Sequence, residues 1–171
     1  MSTRKLTTLA VYTTIALVIF TVESAIPPLV PIPGIKLGLA NIITLVILQI
    51  YSPKDAFFVL ITRILLSPLL FGQAMSLLYS ITGGIFCFTA MVLVQKQLQK
   101  HFLLLTGIVG AIFHNLGQLL VAYLLTAVPG VLTYLPFLLL SGILTGLFTG
   151  LCAHFSLKYL KQYKLQAEDS Q

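Results

Sequence analysis

The sequence predicts an all-α membrane protein, a six-transmembrane-helix bundle with both termini in the cytoplasm. Of its 171 residues, 58% are hydrophobic and 8% are charged, and the mean hydropathy is +1.03. Soluble domains carry roughly 25% charged residues, so this chain has too little charge to cover a surface that faces water. One span takes about 20 apolar residues, so a chain of this length holds about six spans joined by short loops.

Long apolar runs, each ended by charge, proline or glycine, place the spans near residues 6–26, 36–51, 55–71, 73–94, 102–127 and 134–157. We expect a single transmembrane domain over residues 1–160 and a polar cytoplasmic tail over 161–171. The first run follows Arg4 and Lys5, as a secretory signal does, but it is longer than the apolar part of a cleavable signal. We therefore expect it to remain as the first span. The third run contains Arg63, which neighbouring helices must shield from lipid.

Basic residues predict the orientation. Eight of the ten Lys and Arg residues flank the spans on one side: Arg4, Lys5, Lys54, Lys96, Lys100, Lys158, Lys161 and Lys164. Cytoplasmic loops are enriched in Lys and Arg, so this side and both termini are predicted to be cytoplasmic in a multi-pass protein of the cell membrane. The basic residues are scattered singly between apolar runs. The net charge of +6 therefore indicates loop charge, and we expect no nucleic-acid partner.

Polar side chains at membrane depth mark the candidate site, because each one needs a partner, a wet cavity or the interface. The candidate substrate-binding residues are Glu23, Lys36, Asn41, Arg63, His114, Asn115 and Gln118. Glu23 ends the first span and Lys36 opens the second from the same outer side, so the two are expected at similar depth. Arg63 falls near the middle of the third span. We expect all of these side chains to gather round one polar pocket that opens outward.

Alternatives remain open for these residues. The fifth span has a small and polar face made of Gly107, Gly110, Ala111, His114, Asn115, Gly117 and Gln118. Such a face is either the wall of a site or a tight seam with structural hydrogen bonds. Arg63 either contacts an anion, pairs with Glu23, or caps the carbonyls of a broken helix. Lys36 is either a ligand contact or a side chain that extends to the interface.

Two further segments have distinctive compositions. Residues 26–34 hold four of the eight prolines, which predicts a stiff outer loop, either a plain connector or a wall over the pocket. The sixth span repeats small residues at four-residue spacing, in Ser141-Gly142, Thr145-Gly146, Thr149-Gly150 and then Ala153. Small residues at this spacing permit close helix contact, and we expect the contact to lie inside the bundle rather than with another subunit.

One stretch resembles a known family. Pro31-Ile32-Pro33-Gly34-Ile35-Lys36-Leu37-Gly38-Leu39-Ala40-Asn41-Ile42-Ile43-Thr44 is similar to the signature loop and second helix of the Gx transporter family, often labelled heptaprenyl diphosphate synthase component I. The resemblance extends through the six-span pattern, including Glu23 before the prolines and the segment 114–118. The family itself resembles the S components of energy-coupling factor (ECF) transporters, which are six-helix membrane proteins that capture a nutrient near the outer face.

The resemblance implies a substrate-binding membrane subunit for a small anionic or amphipathic nutrient, or for an isoprenoid or quinone-related precursor. It also implies partners, namely the lipid bilayer, an ECF-type transmembrane coupling protein and two cytoplasmic ATPases, because the chain has no Walker motif of its own. S components commonly dock through AxxxA on the first helix, whereas this chain has Ala10 and Ala16 with Thr13 and Thr14 between them. The alternative is a non-catalytic membrane partner of heptaprenyl diphosphate synthase or of a membrane redox assembly.

The acidic residues argue against catalysis by this chain. Prenyl elongation requires magnesium held by clustered carboxylates. The chain has only four carboxylates, Glu23, Asp55, Glu168 and Asp169, and the one adjacent pair, Glu168-Asp169, lies in the tail, where we expect nothing to face it. The cysteines also lack metal or redox spacing. We therefore expect no catalytic residues, no metal and no cofactor, and we predict that the chain is not an enzyme.

Overall fold

The protein is described here from a computed structural model, which covers residues 2–26, 35–71, 74–98 and 102–169. Within these ranges the chain is helical and contains no strand, with elements in the order α1 Thr3–Ser24, α2 Asn41–Ile50, α3 Pro53–Phe71, α4 Ala74–Leu98, α5 Leu103–Thr126, a 3₁₀ helix Pro129–Tyr134 and α6 Leu135–Asp169. The predicted proline-rich outer loop lies mostly outside the described residues.

Four helical stretches are long and apolar enough to cross a membrane. They are Thr3–Ser24, Met75–Leu98, Leu103–Thr126 and Pro129–Gln162. The chain is therefore an all-helical, multi-pass membrane protein, as the sequence predicts. Helix α2 is apolar but shorter, with 10 residues, and α3 carries Lys54, Asp55 and Arg63 within its 19 residues.

Helix α2 is the central element of the bundle. Eight of its ten residues are buried: Asn41, Ile42, Ile43, Thr44, Leu45, Val46, Ile47 and Leu48. It packs against each of the five other α-helices. A helix that is apolar on all sides is stable only when it is enclosed, which explains why so short an element occupies the core.

Helix α2 begins at Asn41, whereas the predicted second span begins at residue 36. Gly38 has φ of +81°, a left-handed conformation that interrupts a right-handed helix and favours glycine. A turn follows, in which the Asn41 N–H donates to the Gly38 carbonyl over 3.0 Å. Lys36 consequently lies in the non-helical segment 35–40, which immediately precedes α2. At the other end of the chain, α6 continues past the predicted end of its span to Asp169.

Glycines allow α5 and α6 to pack with their backbones in close contact. A Cβ atom built on Gly107 would lie 2.5 Å from the Gly146 carbonyl oxygen, and one on Gly150 would lie 2.7 Å from the Leu104 Cα. A Cβ on Gly142 would lie 3.1 Å from the Ile112 Cα. The small residues predicted in the sixth span therefore form a contact inside the bundle, and that prediction is confirmed.

An ion pair joins the beginning of α1 to the beginning of α3. Lys5 Nζ lies 2.8 Å from Asp55 Oδ1, and Asp55 Oδ2 accepts from the Ser52 N–H over 3.0 Å and from the Ser52 hydroxyl over 2.6 Å. The Asp55 N–H in turn donates to Ser52 Oγ over 3.3 Å, which completes a reciprocal cap at the start of α3. Glu23 lies at the opposite end of α1, about 27 Å away at about 1.5 Å per residue.

Candidate substrate site

The small and polar face predicted for α5 is buried. Of its polar members, His114 is 4% exposed, Asn115 is 2% exposed and Gln118 is 1% exposed, whereas Phe113 is 42% exposed. The helical periodicity of the sequence thus correctly separates the buried face of α5 from its exposed face. Because buried polar side chains are nearly always hydrogen-bonded, each of these three needs a hydrogen-bond partner inside the bundle.

Three of the predicted residues form one chain of polar contacts across α2, α3 and α5. Arg63 Nη2 donates to Asn41 Oδ1 over 3.3 Å, and Asn41 Nδ2 lies 3.4 Å from His114 Nδ1. All three side chains are buried, with exposures of 5%, 3% and 4%. Asn41, the first residue of α2, therefore connects the guanidinium on α3 to the imidazole on α5.

Two glycines hold the His114 ring on either side. A Cβ on Gly38 would lie 2.7 Å from His114 Cδ2 and 2.9 Å from His114 Nε2. A Cβ on Gly83, in α4, would lie 2.8 Å from His114 Nδ1. Neither position tolerates a side chain without movement of the ring. The imidazole thus occupies a slot between the segment 35–40 and α4.

The segment 35–40 is anchored to α1 and α5 by the other predicted residues. Glu23 Oε1 accepts from the Gly38 N–H over 2.5 Å, and Gln118 Oε1 accepts from the Lys36 N–H over 3.3 Å. The Lys36 ammonium donates to Ser24 Oγ over 2.7 Å and lies 3.5 Å from the centroid of the Phe20 ring. Glu23 and Lys36 therefore lie at similar depth, as expected from the sequence.

Arg63 contacts a neutral amide rather than a carboxylate. Its guanidinium donates to Asn41, while the Glu23 carboxylate instead accepts from the Gly38 backbone; Arg63 and Glu23 attract each other at longer range. Two buried nitrogen atoms in this chain of contacts, Arg63 Nε and His114 Nε2, have no hydrogen-bond partner among the described residues. Buried polar atoms without partners are rare in proteins and require an explanation.

Asn115 is the one predicted site residue whose side chain bonds away from the segment 35–40 and its neighbours. Its Nδ2 donates to the Leu138 carbonyl over 2.7 Å, which ties α5 to α6 instead of to the segment 35–40. It therefore lies apart from the other six, and its role in substrate binding stays a prediction.

The sequence reasoning did not single out Gly83, Ser24 or Phe20. A glycine pair within an apolar run, Gly83-Gly84, was the one available signal.

The arrangement offers binding groups rather than reactive ones. Helices α1, α2, α3 and α5 supply one carboxylate, two amides, a guanidinium and an imidazole around the segment 35–40, which itself carries the Lys36 ammonium. Asp55 is held by Lys5 at the far end of α1, so the carboxylates Glu23 and Asp55 do not lie together. Among the described residues, no group of three or more His, Cys, Asp or Glu side chains is placed to hold a metal ion.

Comparison with known proteins gives one family. The family model described as heptaprenyl diphosphate synthase component I matches residues 12–156, which is most of the chain and includes every residue of the network described above. No curated protein and no solved structure matches the chain.

Proposed function

The chain belongs to the heptaprenyl diphosphate synthase component I family, and from this premise we propose that it is a substrate-binding subunit of a membrane transporter. Within this proposal it captures a small molecule at the outer face, in the manner of an ECF-type S component. The observation that carries the proposal is the contact chain Arg63–Asn41–His114, which lies inside an apolar bundle and contains two buried nitrogen atoms with no hydrogen-bond partner among the described residues. Polar groups are costly at this depth, and a bound solute explains why they are kept.

The proposal includes the topology and the partners. In the proposed topology the chain crosses the cell membrane six times, and α2 together with the segment before it forms the second crossing. Both termini then lie in the cytoplasm, and the segment 35–40 lies near the outer face. Energy then comes from a transmembrane coupling protein and two cytoplasmic ATPases. On α1, Ala10 is exposed but Ala16 is buried, so these two alanines cannot both contact a coupling protein. In this proposal, other residues on the exposed face of α1 make the contact that AxxxA makes in S components.

We further propose that the chain does not catalyse prenyl transfer. Such chemistry depends on magnesium bound by several carboxylates at once. Glu23 and Asp55 lie at opposite ends of α1, and Asp55 is engaged with Lys5 and Ser52. The family description favours a second candidate, a non-catalytic membrane component of heptaprenyl diphosphate synthase.

Native mass spectrometry of the gently purified protein separates the two candidates. Transport predicts a retained small molecule and co-purifying ATPases, whereas the second candidate predicts a co-purifying prenyl synthase subunit and no retained solute. Substituting Arg63→Ala should remove the retained molecule. Lys158→Ala is the matched control, because Lys158 is an exposed basic residue far from the network. Equal retention in Arg63→Ala and the parent protein, both folded, would contradict the transport proposal.

A further inference from the structure

We propose that the end of α6 binds the headgroups of anionic phospholipids. The binding segment is residues 158–162, which we call the α6 extension. It carries Lys158 and Lys161, and each of its five residues is exposed. This inference concerns a part of the molecule away from the polar network, and it does not depend on the transport proposal.

The α6 extension leaves the helix bundle. Ala153 is buried in the core, and Leu157 is still half-buried against it. From Lys158 onward the helix is exposed on every side, with Tyr159 at 68% and Leu160 at 42%. The end of a helix frays unless something packs against it. A surface outside the chain that contacts the α6 extension therefore stabilises it.

The length of α6 places the extension in the headgroup layer. The apolar part of the helix, residues 135–157, is about 34 Å long at about 1.5 Å per residue. That length spans the hydrocarbon core of a bilayer, which is about 30 Å thick. Each headgroup layer adds about 5 to 8 Å, and the α6 extension covers about 7 Å. Lipid phosphates therefore lie at the level of its lysines.

Two unbalanced positive charges lie on one face of the α6 extension. Lys158 and Lys161 are three residues apart, so their side chains are neighbours on the helix surface and repel each other. Neither forms an ion pair among the described side chains. Glu168 and Asp169 lie at least about 10 Å further along the helix axis, beyond the headgroup layer. An anion between the two lysines removes the repulsion and accepts charge-assisted hydrogen bonds.

The apolar neighbours of these lysines favour a lipid over a soluble anion or an acidic protein. Phe155 and Tyr159 are one helical turn apart, and they are 52% and 68% exposed. Aromatic rings concentrate at the boundary between hydrocarbon and headgroups. Lysine stems lie along the same boundary while their ammonium groups extend into the polar layer. A phospholipid supplies acyl chains for the rings and a phosphate for the lysines.

A further exposed lysine lies at the same end of the bundle. Lys96 is in the last turn of α4, and α4 packs against α5 where Met91 meets Gly110. Helix α6 packs against α5 where Gly150 meets Leu104. Both helices run antiparallel to α5, so Lys96 and the α6 extension both lie toward the beginning of α5. The positive field at this end favours anionic over zwitterionic headgroups.

The test compares the whole protein in lipid nanodiscs of two compositions with the same acyl chains. One contains phosphatidylcholine alone, and the other contains phosphatidylglycerol in place of part of it. We expect phosphatidylglycerol to raise the Tm by about 3 °C or more at low salt. Sodium chloride should reduce this difference, because salt screens exposed charges. Free glycerol phosphate, added to the phosphatidylcholine nanodiscs, should leave the Tm unchanged and so separates a lipid from a soluble anion.

Paired substitutions assign the effect to the α6 extension. Lys158→Gln combined with Lys161→Gln should lose most of the phosphatidylglycerol shift, whereas Lys158→Arg combined with Lys161→Arg should keep it. Gln162→Ala is the matched control, because it changes an exposed, uncharged residue of the same segment. Native mass spectrometry is the second readout. We expect the parent protein to retain phosphatidylglycerol in preference to phosphatidylcholine, and the double Gln variant to lose that preference.

Four results overturn the inference. The first is no phosphatidylglycerol shift in the folded parent protein, and the second is an equal shift in the double Gln variant. The third is an equal shift with free glycerol phosphate. The fourth is an acidic protein that co-purifies with the parent and is lost from the double Gln variant while lipid retention stays the same, which assigns the α6 extension to a protein interface.

Discussion

At the scale of single residues, Gly38 is the position at which the most structural requirements meet. Its φ of +81° ends any helix that begins at Lys36, its N–H binds the Glu23 carboxylate, and its missing side chain accommodates His114. These three roles connect α1, α2 and α5 at one position. Gly38 therefore combines a conformational requirement with a steric one, and a substitution tests both together.

Gly38→Ala should destabilise the protein by about 2 kcal/mol or more, because the new Cβ meets a left-handed backbone and the His114 ring at once. The measurement is unfolding of the purified protein in mild detergent, followed by intrinsic fluorescence or scanning calorimetry. Gly130→Ala is the matched control, since its Cβ would meet only Val128 Cγ1 at 3.6 Å, and we expect a change within about 0.5 kcal/mol. Equal stability of the two variants would contradict this account of Gly38.

Neighbouring residues show which parts of the site were predictable. His114 and Asn115 are adjacent and lie on the same buried face of α5, as the helical period predicts. They point to different neighbours: His114 to Asn41 and Asn115 to the Leu138 carbonyl. The period of a helix determines which face is buried, but the partner of each side chain depends on which helix packs there, and that information is not local.

At the scale of elements, the long helices were predictable because each is a continuous apolar run with a clear stop. The beginning of α2 was not, because the conformation of Gly38 depends on a carboxylate from α1 and a ring from α5. The small residues of α6 were a stronger signal. Their four-residue spacing indicates a helix contact from sequence alone, and only the identity of the partner, α5, required the structure.

The contact between α5 and α6 should be sensitive to one added methyl group. Gly146→Ala places a Cβ against the Ile108 Cα and 2.7 Å from the Gly107 carbonyl oxygen, which are backbone atoms that cannot rotate away. We expect a loss of about 1 to 3 kcal/mol on unfolding. Gly84→Ala is the control, because its Cβ would meet only the ends of the flexible Ile64 and Leu60 side chains. A cost for Gly84→Ala equal to that of Gly146→Ala would show that backbone contact is not the cause.

At the scale of the whole molecule, charge is segregated along α1. Its beginning is paired with Asp55 through Lys5, and its end is surrounded by Glu23, Lys36 and Ser24. The two polar ends are separated by about 27 Å of apolar helix, close to the hydrocarbon thickness of about 30 Å. In the proposed topology, the polar network therefore lies near one face of the membrane and the Lys5–Asp55 pair near the other.

The proposed topology predicts which positions a membrane-impermeant maleimide reaches. In a background with Cys87→Ala and Cys152→Ala, we expect Thr133→Cys to react in intact cells. Ser2→Cys and Lys161→Cys should react only after permeabilisation. Both positions lie on the side of the protein that is rich in Lys and Arg, and this side is expected to stay in the cytoplasm. All three test positions are exposed. Reaction of Thr133→Cys only after permeabilisation would show the inverted orientation.

A fourth position tests the short helix α2. Lys54 is exposed and adjoins Asp55, whose contact with Lys5 places it beside the beginning of α1. If α1 and α2 with its preceding segment each cross the membrane, Lys54→Cys should behave as Ser2→Cys does. Val18→Cys, on the exposed apolar face of α1, should stay unlabelled throughout, because thiolate formation and the charged reagent are both disfavoured in lipid. Labelling of Lys54→Cys in intact cells would contradict the second crossing, and with it the placement of the Arg63–Asn41–His114 network near the outer face.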